Sequence, residues 1–411
     1  MDAEVIARCG QKILAPVVSE FTMWVVDEAR RMGVSTLYFL SRDGYIPYLI
    51  AQKLCAQHGY GIACRYLYCS RKSLHLPVYQ FMGEEAFEHI FTISTQCTLG
   101  AILQRINASK EQRDAILQEL GLKQGDLTRL LQPDEVEELR KKAQNNSLFC
   151  NVLRENSQKA YEATMGYLKQ EKLFEQSLVA VVDSGWAGTS QRALYRLLKT
   201  AGCSAKVQGL YFGLFSDFPE KEDFAAKAWY FDGHRKFWNK VLFSPNLFEC
   251  MMSAPDGMTV GYTCTEGKYL PQKRDVSRTE QFSAKEAQLH AVMEGFEVQQ
   301  KRGISPSAAQ WRLKRLMAFP TREEAQAYGA YAFSDDVADE NALHLCAAED
   351  AAAIRKHTFF AKVRAKLSRA ESERRPYWVF GAVSLVDGRL KRIWLRMNVI
   401  GLEVFRWIRS R

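Results

Sequence analysis

Three short polar segments each follow an apolar run, and their residue types suit the binding of a phosphorylated sugar. The segments are residues 41–44 (SRDG), 70–72 (SRK) and 183–190 (DSGWAGTS). Arginine and lysine carry positive charge for a diphosphate, and small residues before a helix leave backbone amides open to an anion. An acid at the start of such a loop can hold a hydroxyl group or a metal ion. Together the segments predict a site for a phosphorylated ligand.

The first two segments supply the cationic part of this predicted site. The candidates for diphosphate binding are Arg42, Asp43, Gly44, Ser70, Arg71 and Lys72. Arginine can bind a diphosphate through two parallel hydrogen bonds, and a glycine lets the backbone approach a phosphate closely. Asp43 either caps the following helix or holds a hydrated Mg²⁺ ion. Alternatively, Arg71 and Lys72 form a solvated basic turn and bind no diphosphate.

The third segment has the pattern of a buried strand that leads into a phosphate-sized loop. Apolar, mostly β-branched residues from Val179 to Val182 end on Asp183, and a helical pattern follows the loop. The candidates for ribose and phosphate contacts are Asp183, Ser184, Gly185, Trp186, Gly188, Thr189 and Ser190. Asp183 is also, with Asp43, a candidate Mg²⁺ ligand. Trp186 either forms a wall of this loop or packs in the core.

The elements that must position these segments alternate between strand and helix patterns. Strands are predicted at Thr36–Leu40, Cys64–Cys69, Val179 to Val182 and Val207–Phe215, and a helix at Tyr45–Gln57. Such alternation favours a parallel α/β sheet, in which ligands bind beyond the carboxyl ends of the strands. The polar segments all fall at predicted strand ends, so we expect them to share one cleft.

The rest of the chain is predicted to be mainly helical additions to this sheet. Residues 84–176 form a large helical insertion, and residues 222–275 form strands and loops over the sheet edge. We expect one α/β catalytic domain over residues 1–275, with a helical C-terminal region over residues 276–411 packed on it. No internal repeat or low-complexity linker interrupts the chain.

The end of the chain is basic and apolar. From Asp387 onward it has seven basic and two acidic residues, so 7 − 2 gives a net charge of +5. One helix face is predicted to contain Trp394, Leu395, Val399, Leu402, Phe405 and Ile408. A basic amphipathic helix of this kind either lies on an anionic membrane surface or docks on the protein core.

Composition limits the class of protein. The net charge is +9, the apolar content is 47%, and the ten cysteines are scattered without a CxxC pair. Reduced core thiols in a cytoplasmic protein explain this cysteine usage better than disulfides or zinc. No transmembrane helix and no secretion signal is expected. Basic and acidic residues are interleaved and no nucleic-acid motif is present, so we expect no nucleic-acid partner.

The loop VVDSGWAGTS resembles the ribose-5-phosphate loop of phosphoribosyltransferases, with Asp183 as its second acid and Val182 in place of the first. A closer resemblance extends over most of residues 10–270. The segments LYFLSRDGYIPYLIAQKL, YLYCSRKSL, VVDSGWAGTSQRAL and LFECMMSAPDGMTVGY are similar to the glycan phosphoribosyltransferase half of bacterial dual-domain ribofuranosyltransferases. The fold implied is a divergent phosphoribosyltransferase-like parallel sheet.

This resemblance implies an enzyme that transfers ribofuranose 5-phosphate from phosphoribosyl diphosphate (PRPP) to a surface-polysaccharide acceptor. Transfer would invert C1 to the β anomer and release diphosphate, with Mg²⁺ as the expected cofactor. The acceptor is expected to be a lipid-linked glycan, reached through peripheral contact with the inner membrane surface. The usual phosphatase half, of the haloacid-dehalogenase type, has no DxDxT-type motif here. A separate phosphatase is therefore an expected partner.

Such transfer needs a base for the acceptor hydroxyl, and two acids near the middle of the chain are candidates. Glu249 has apolar neighbours that would raise its pKa, and Asp256 follows seven residues later. Two other readings stay open at this point: transfer to a small-molecule acceptor, and a non-catalytic protein that binds PRPP or a nucleotide. A phosphatase of the haloacid-dehalogenase type is excluded because no predicted strand ends in an Asp-x-Asp nucleophile pair.

Overall fold

The computed structural model describes residues 1–233, 235–275, 280–303, 305–336, 342–354 and 375–409. The chain begins with helix α1 (Ala3–Cys9), a π-helical turn (Gly10–Leu14) and helix α2 (Ala15–Arg31). Helix α2 buries one long apolar face, which includes Phe21 and Val25. This face packs against one side of the central sheet. The ring of Phe21 lies 5.4 Å, between centroids, from the ring of Phe212 in the sheet.

Five parallel strands form the central sheet in the described part of the chain. They are β1 (Thr36–Leu40), β2 (Ala63–Leu67), β3 (Leu178–Trp186), β4 (Lys206–Leu214) and β5 (Phe224–Phe231). Their order in the sheet is β2-β1-β3-β4-β5, with every neighbouring pair parallel. The predicted α/β class with a parallel sheet is confirmed. The chain runs from β1 to β2 on one side and then returns to β3 on the other side of β1. A topological switch point therefore lies between β1 and β3.

Strand β3 is longer than the sequence pattern predicted. Ser184, Gly185 and Trp186 were expected in a loop, but they continue the strand beside β4. Gly185 makes this possible, since its φ is +106° and an added Cβ would lie 2.4 Å from the Gly213 carbonyl oxygen. The small residues of this segment therefore serve strand pairing, which an alternation pattern does not reveal.

The connecting helices lie on both faces of the sheet. Helix α3 (Tyr45–His58) follows β1, helix α4 (Arg71–His75) follows β2, and helix α10 (Thr189–Thr200) follows β3. One core contains Leu37, Phe39 and Val182 with α2 and α3, and another contains Tyr38, Val181 and α10 on the opposite face. This alternation along each strand is the period-2 pattern of a sheet that is covered on both sides.

The segment between α4 and β3 is helical. Its helices are α5 (Glu84–Ile90), α6 (Leu99–Arg105), α7 (Lys110–Glu119), α8 (Pro133–Gln144) and α9 (Ser147–Gln170). They enclose a separate core around Ile102 and Phe149. The second half of α9 instead packs Met165 and Leu168 on the sheet core, so α9 joins the insertion to the sheet.

Residues 222–275 differ from the prediction of strands and loops over the sheet edge. Strand β5 is itself the edge strand of the central sheet. Two short helices follow, α11 (Phe237–Val241) and α12 (Pro245–Met252), and then a hairpin of β6 (Thr259–Thr265) and β7 (Lys268–Lys273). Of the aromatic residues in this region, Tyr230 and Phe231 are buried in the core, whereas Trp238 is 54% exposed.

The C-terminal region is also helical. Its elements are α13 (Glu280–Arg302), α14 (Pro306–Ala318), α15 (Arg322–Gly329), the short strands β8 (Ala332–Phe333) and β9 (Leu343–His344), α16 (Ala348–Ala353), α17 (Val379–Leu385) and α18 (Arg389–Arg409). Buried residues of this region, among them Leu313 and Trp378, belong to the same core as Phe21 of α2. One hydrophobic core thus includes residues from both sides of the predicted boundary at residue 275.

The apolar residues of helix α18 were predicted to lie on one face, but the structure places them on two different sides. Leu395, Val399 and Leu402 are buried on the core, whereas Trp394, Phe405 and Ile408 are exposed. The last two residues of the predicted helix, 410 and 411, lie outside the described residues. Within the described ranges, no helix combines the length and apolarity needed to cross a bilayer.

Candidate active site

A cavity of about 360 Å³ lies beyond the carboxyl ends of β1, β2 and β3, at the switch point of the sheet. The predicted site residues that line it are Arg42, Asp43, Ser70, Arg71, Asp183, Ser184, Gly185, Trp186, Thr189, Ser190 and Glu249. These come from segments separated by more than 200 residues in the chain. The three polar segments lie in one cleft, as predicted, because the carboxyl ends of parallel strands meet at the same edge of the sheet.

At the switch point one residue, Ser184, joins two carboxylates through its hydroxyl group and its backbone amide. Ser184 donates a 2.5 Å hydrogen bond from Oγ to Oδ2 of Asp43, and the Ser184 amide donates to Oδ1 of Asp183 at 2.8 Å. Asp43 follows β1 and Asp183 lies in β3, so adjacent strands hold the two acids side by side. Ser184 is buried, which fixes this arrangement.

The environment of the two carboxylates favours their neutral forms. Burial raises the pKa of Asp43, although the Ser184 hydrogen bond and the Arg42 charge oppose this shift. Burial also raises the pKa of Asp183 well above its usual range, and the charge of Asp43 raises it further. Two acids that disfavour each other's ionisation form a site that a bound cation or cationic ligand would stabilise.

Glu249 is a third acid in the same cavity, positioned by α12. Its Oε1 accepts a 2.6 Å hydrogen bond from the indole Nε1 of Trp186. Burial, and then the charge of Asp43, raises the pKa of Glu249 to about 7, while the charge of Arg71 opposes the shift. A carboxyl group with a pKa near neutrality can accept a proton at physiological pH, which is what a general base requires.

Hydrogen bonds tie together the loops that carry the arginines. The Ser41 hydroxyl donates to the Cys69 carbonyl at 2.6 Å and accepts from the Cys69 amide at 3.0 Å. The Arg42 carbonyl accepts from the Ala254 amide at 3.2 Å, which joins this loop to the end of α12. The backbones that present Arg42 and Arg71 to the cavity are therefore linked to one another and to the helix of Glu249.

The N-terminus of helix α10, which favours the binding of anions, also lies at the cavity. Thr189 and Ser190 begin α10 and line the cavity. The first amides of a helix lack partners within it, and the macrodipole places partial positive charge there. Gly188 precedes them with a φ of +65°, and an added Cβ would lie 2.4 Å from the Phe218 ring. Gly188 itself is not among the lining residues, so it shapes the turn rather than facing the ligand.

Three further predicted ligands stand outside the cavity lining. Gly44 begins α3 beside β1, where an added Cβ would lie 2.5 Å from the Leu40 carbonyl oxygen, so the glycine serves chain packing. Lys72 points into the protein and is 6% exposed. Asp256 pairs with Lys273 at 2.9 Å on the hairpin side. The structure thus brings Glu249 into the cavity and not Asp256.

Ser70 lines the cavity, but its hydroxyl has structural partners. It accepts from the Ser73 amide at 3.0 Å as the cap of α4, and it donates to the Thr259 carbonyl at 2.7 Å. A single hydroxyl hydrogen cannot serve a ligand and Thr259 together. Ser70 therefore orients the Arg71 turn, and its hydroxyl hydrogen is already donated to Thr259.

The sequence analysis missed one whole side of the cavity. Asn246, Met258, Phe333, Ser334, Asp335 and Asp336 also line it. Residues 333–336 come from the C-terminal region and reach the cavity as a strap after α15. The adjacent acids in the sequence FSDD were the available signal. Their distance of 150 residues from the loop of Asp183 gave no reason to group them with the polar segments.

Two acids of this strap bind it to the helical insertion. Asp336 forms a buried ion pair with Arg105, and it accepts a 2.9 Å hydrogen bond from Ser94. Asp335 accepts from the hydroxyl of Thr95 at 2.7 Å and from Tyr377 at 3.1 Å. The strap therefore connects the insertion and the C-terminal region along one side of the cavity.

The donor set fits a magnesium ion that is shared with a ligand. Among the residues described, no group of three or more His, Cys, Asp or Glu side chains could hold a metal ion. Magnesium, however, usually binds one or two carboxylates and completes its shell with water and phosphate oxygens. Asp43 and Asp183 provide two such carboxylates. Burial raises the pKa of both, and the charge of Asp43 raises that of Asp183 further. A cation bound there would stabilise their charged forms.

Comparison with known proteins adds no assignment. No protein-family model matches the chain, and no curated protein matches it. The function is therefore inferred from the geometry of the cavity and from the residue types within it.

Proposed function

We propose that the chain transfers ribofuranose 5-phosphate from PRPP to a hydroxyl group of a glycan. The observation that carries the proposal is the arrangement at the switch point: Asp43 and Asp183 joined by Ser184, with Arg42 and Arg71 lining the same cavity. Paired acids and arginines together suit a polyhydroxylated ligand that also carries a diphosphate. We also propose that the fold is a divergent phosphoribosyltransferase-like one; the parallel sheet with a cavity at the carboxyl ends of its strands supports this.

The donor would lie along the ends of the three central strands. Arg42 and Arg71 would bind the diphosphate, Asp183 the ribose hydroxyls, and the α10 N-terminus at Thr189 and Ser190 the 5-phosphate. Support comes from the shared cavity and from the charge at its two ends. When bound, Mg²⁺ would be held by Asp43 and Asp183 and would neutralise charge on the diphosphate.

Glu249 would act as the base. The acceptor oxygen attacks C1 from the face opposite the diphosphate, a C–O bond to the glycan forms, and the C1–O bond to diphosphate breaks. The acceptor proton passes to the Glu249 carboxylate, and diphosphate leaves with the bonding electron pair. Inversion at C1 gives the β anomer. Support comes from the pKa of Glu249 near 7 and from its place beside the two acids.

The acceptor would enter on the side formed by the strap. Asn246, Phe333 and Ser334 line that side, and none of them belongs to the proposed donor set. An aromatic ring beside amide and hydroxyl groups suits the apolar face and hydroxyl edge of a sugar ring. We propose a lipid-linked glycan as acceptor and a separate phosphatase of the haloacid-dehalogenase type to remove the 5-phosphate.

Release of diphosphate from PRPP in the presence of Mg²⁺ and a synthetic glycan acceptor tests this function. We expect release that depends on the acceptor, and a product whose mass increases by one ribose phosphate. Release with a nucleobase in place of the glycan would favour transfer to a small molecule instead. Binding of PRPP without transfer to any acceptor would favour the non-catalytic reading. No binding at millimolar PRPP would overturn the proposal.

A further inference from the structure

Helix α18 has apolar residues on two opposite sides. On the inner side Leu395, Val399 and Leu402 are buried. Near its end, Trp407 contacts Phe237 of α11 at 4.6 Å between ring centroids. These contacts hold the helix on the core and determine which side faces outward. The helix is therefore docked, and its outer side is a fixed feature of the protein surface.

The outer side carries large apolar residues along the length of the helix. This outward stripe consists of Leu390, Ile393, Trp394, Met397, Phe405 and Ile408. Successive residues of the stripe are three, one, three, eight and three positions apart, which places them all on one helical face. Leu390 is 83% exposed and Met397 is 65% exposed, so the stripe is not a partly covered core edge. Large apolar patches of this kind mark interaction sites in soluble proteins.

Basic residues border the outward stripe. Between Arg389 and Arg409 the sequence has six basic residues and one acid, Glu403, so 6 − 1 gives +5. The single acid is already paired, because Glu403 forms ion pairs with Arg375 and Arg406. Arg389 and Lys391 are exposed beside Leu390. The surface therefore combines an apolar strip with exposed basic residues at one end.

A further contact holds the helix at its flank. Phe319, at the end of α14, is 43% exposed, and the Arg396 guanidinium lies 5.2 Å from the centre of its ring. Arg396 is anchored by a 2.8 Å hydrogen bond to the Ser384 hydroxyl. These contacts join α18 to α14 and α17 and help to determine which side of the helix faces outward.

We propose that the outward stripe and its basic border dock on the interface of an anionic lipid bilayer. Apolar side chains with tryptophan and phenylalanine would enter the headgroup boundary, and the basic residues would contact anionic headgroups. A second copy of the chain fits this surface less well. Two copies joined through the stripe would bring like charges together, at a cost in free energy. The proposal stands independently of the proposed transfer reaction.

Co-sedimentation of the full chain with vesicles tests the proposal. One set of vesicles contains phosphatidylcholine alone, and the other also contains phosphatidylglycerol. We expect binding to the anionic vesicles that weakens as salt is added, since exposed charges are screened. The double substitution Leu390→Ser with Met397→Ser should reduce the partition coefficient about tenfold or more. Arg389→Gln with Lys391→Gln should reduce binding to the anionic vesicles alone.

Trp311→Ser is the matched control, because Trp311 is 66% exposed on α14 and lines a different cavity, beside Arg8 and Lys12. It should bind as the wild type does, and thermal melting should show that every variant folds. Three results would overturn the proposal: a wild type that stays in the supernatant with both vesicle types, a Leu390→Ser/Met397→Ser variant that sediments like the wild type, or equal binding to both lipids. A dimer in lipid-free solution that the same variant dissociates would assign the stripe to a second copy instead.

Discussion

The indole N–H of Trp186 donates a 2.6 Å hydrogen bond to the carboxylate of Glu249. Trp186 ends strand β3 and Glu249 lies on helix α12, so this bond joins the sheet to the helix that carries the proposed base. The indole is fixed in turn by Phe243 and Phe248, at 5.2 and 6.0 Å between ring centroids. The base is thereby positioned beside Asp43 and Asp183 by an aromatic cluster.

We expect Glu249→Gln to lower kcat for transfer by about 10²–10⁴-fold, the usual contribution of a general base. Binding of PRPP, measured by calorimetry, should change little, because the donor contacts belong to other residues. Asp256→Asn is the comparison, since Asp256 pairs with Lys273 and does not line the cavity. A larger loss of kcat in Asp256→Asn than in Glu249→Gln would assign the base to Asp256.

The rate of transfer should depend on the ionisation of Glu249. Because its pKa is about 7 and the carboxylate is the active form, kcat/KM should rise as pH increases through that value. Trp186→Phe removes a hydrogen bond that lowers this pKa. Its pH profile should therefore shift to higher pH, in addition to any loss of rate. An unshifted profile would show that the indole only fills space.

Glu249 should also make the stability of the protein depend on pH. Its pKa is raised from 4.5 to about 7 by folding, so the stability gained from protonation is complete below 4.5 and is lost as pH rises to about 7. The loss is about 3 kcal/mol at high pH. Glu249→Gln stays neutral, and it should therefore unfold at higher urea concentration than the wild type at alkaline pH.

The control for this effect is Glu222→Gln, because the Glu222 side chain is 95% exposed. Its unfolding midpoint should follow that of the wild type at every pH. If Glu249→Gln also followed the wild type, Glu249 would not be the buried acid that titrates near neutrality.

The pair of acids at the switch point should couple PRPP binding to the metal. Mg²⁺ with PRPP at 100 times its dissociation constant should stabilise the wild type by about 2.7 kcal/mol against unfolding, and PRPP with a chelator should stabilise it much less. Asp183→Asn should abolish transfer and remove most of this stabilisation while the chain still folds. Thermal melting measures each case. Wild-type activity in Asp183→Asn would remove Asp183 from the site.

We expect the ion pair between Arg105 and Asp336 to stabilise the protein by holding the strap in place. Both side chains are almost fully buried, at 1% and 2% exposure. Arg105→Met leaves the Asp336 charge uncompensated and should cost about 3–5 kcal/mol of stability. The double variant Arg105→Met/Asp336→Leu should be more stable than Arg105→Met alone, as urea unfolding would show. If the double variant were the less stable of the two, burial of an unpaired charge would not explain the loss.

Much of the sheet could be predicted from the sequence because strand signals are local. β-branched and aromatic runs determined the position of β1 to the residue and that of β4 to within one residue, and the polar segments at strand ends identified most of the donor side. The extension of β3 through Ser184–Trp186 was missed, since its small residues pair with β4 only in the folded sheet. The role of Ser70 was likewise decided by a partner distant in sequence, Thr259.

By itself, therefore, the sequence determined the α/β class, the cleft that contains Asp43 and Asp183, and the amphipathic character of the last helix. The tertiary structure alone decided which acid enters the cavity, that residues 333–336 complete it, and which side of α18 faces outward. The physical reason is that residue type and periodicity report the preferences of short segments. Burial, ion pairing and raised pKa values arise only when segments such as α12, β3 and the strap are packed together.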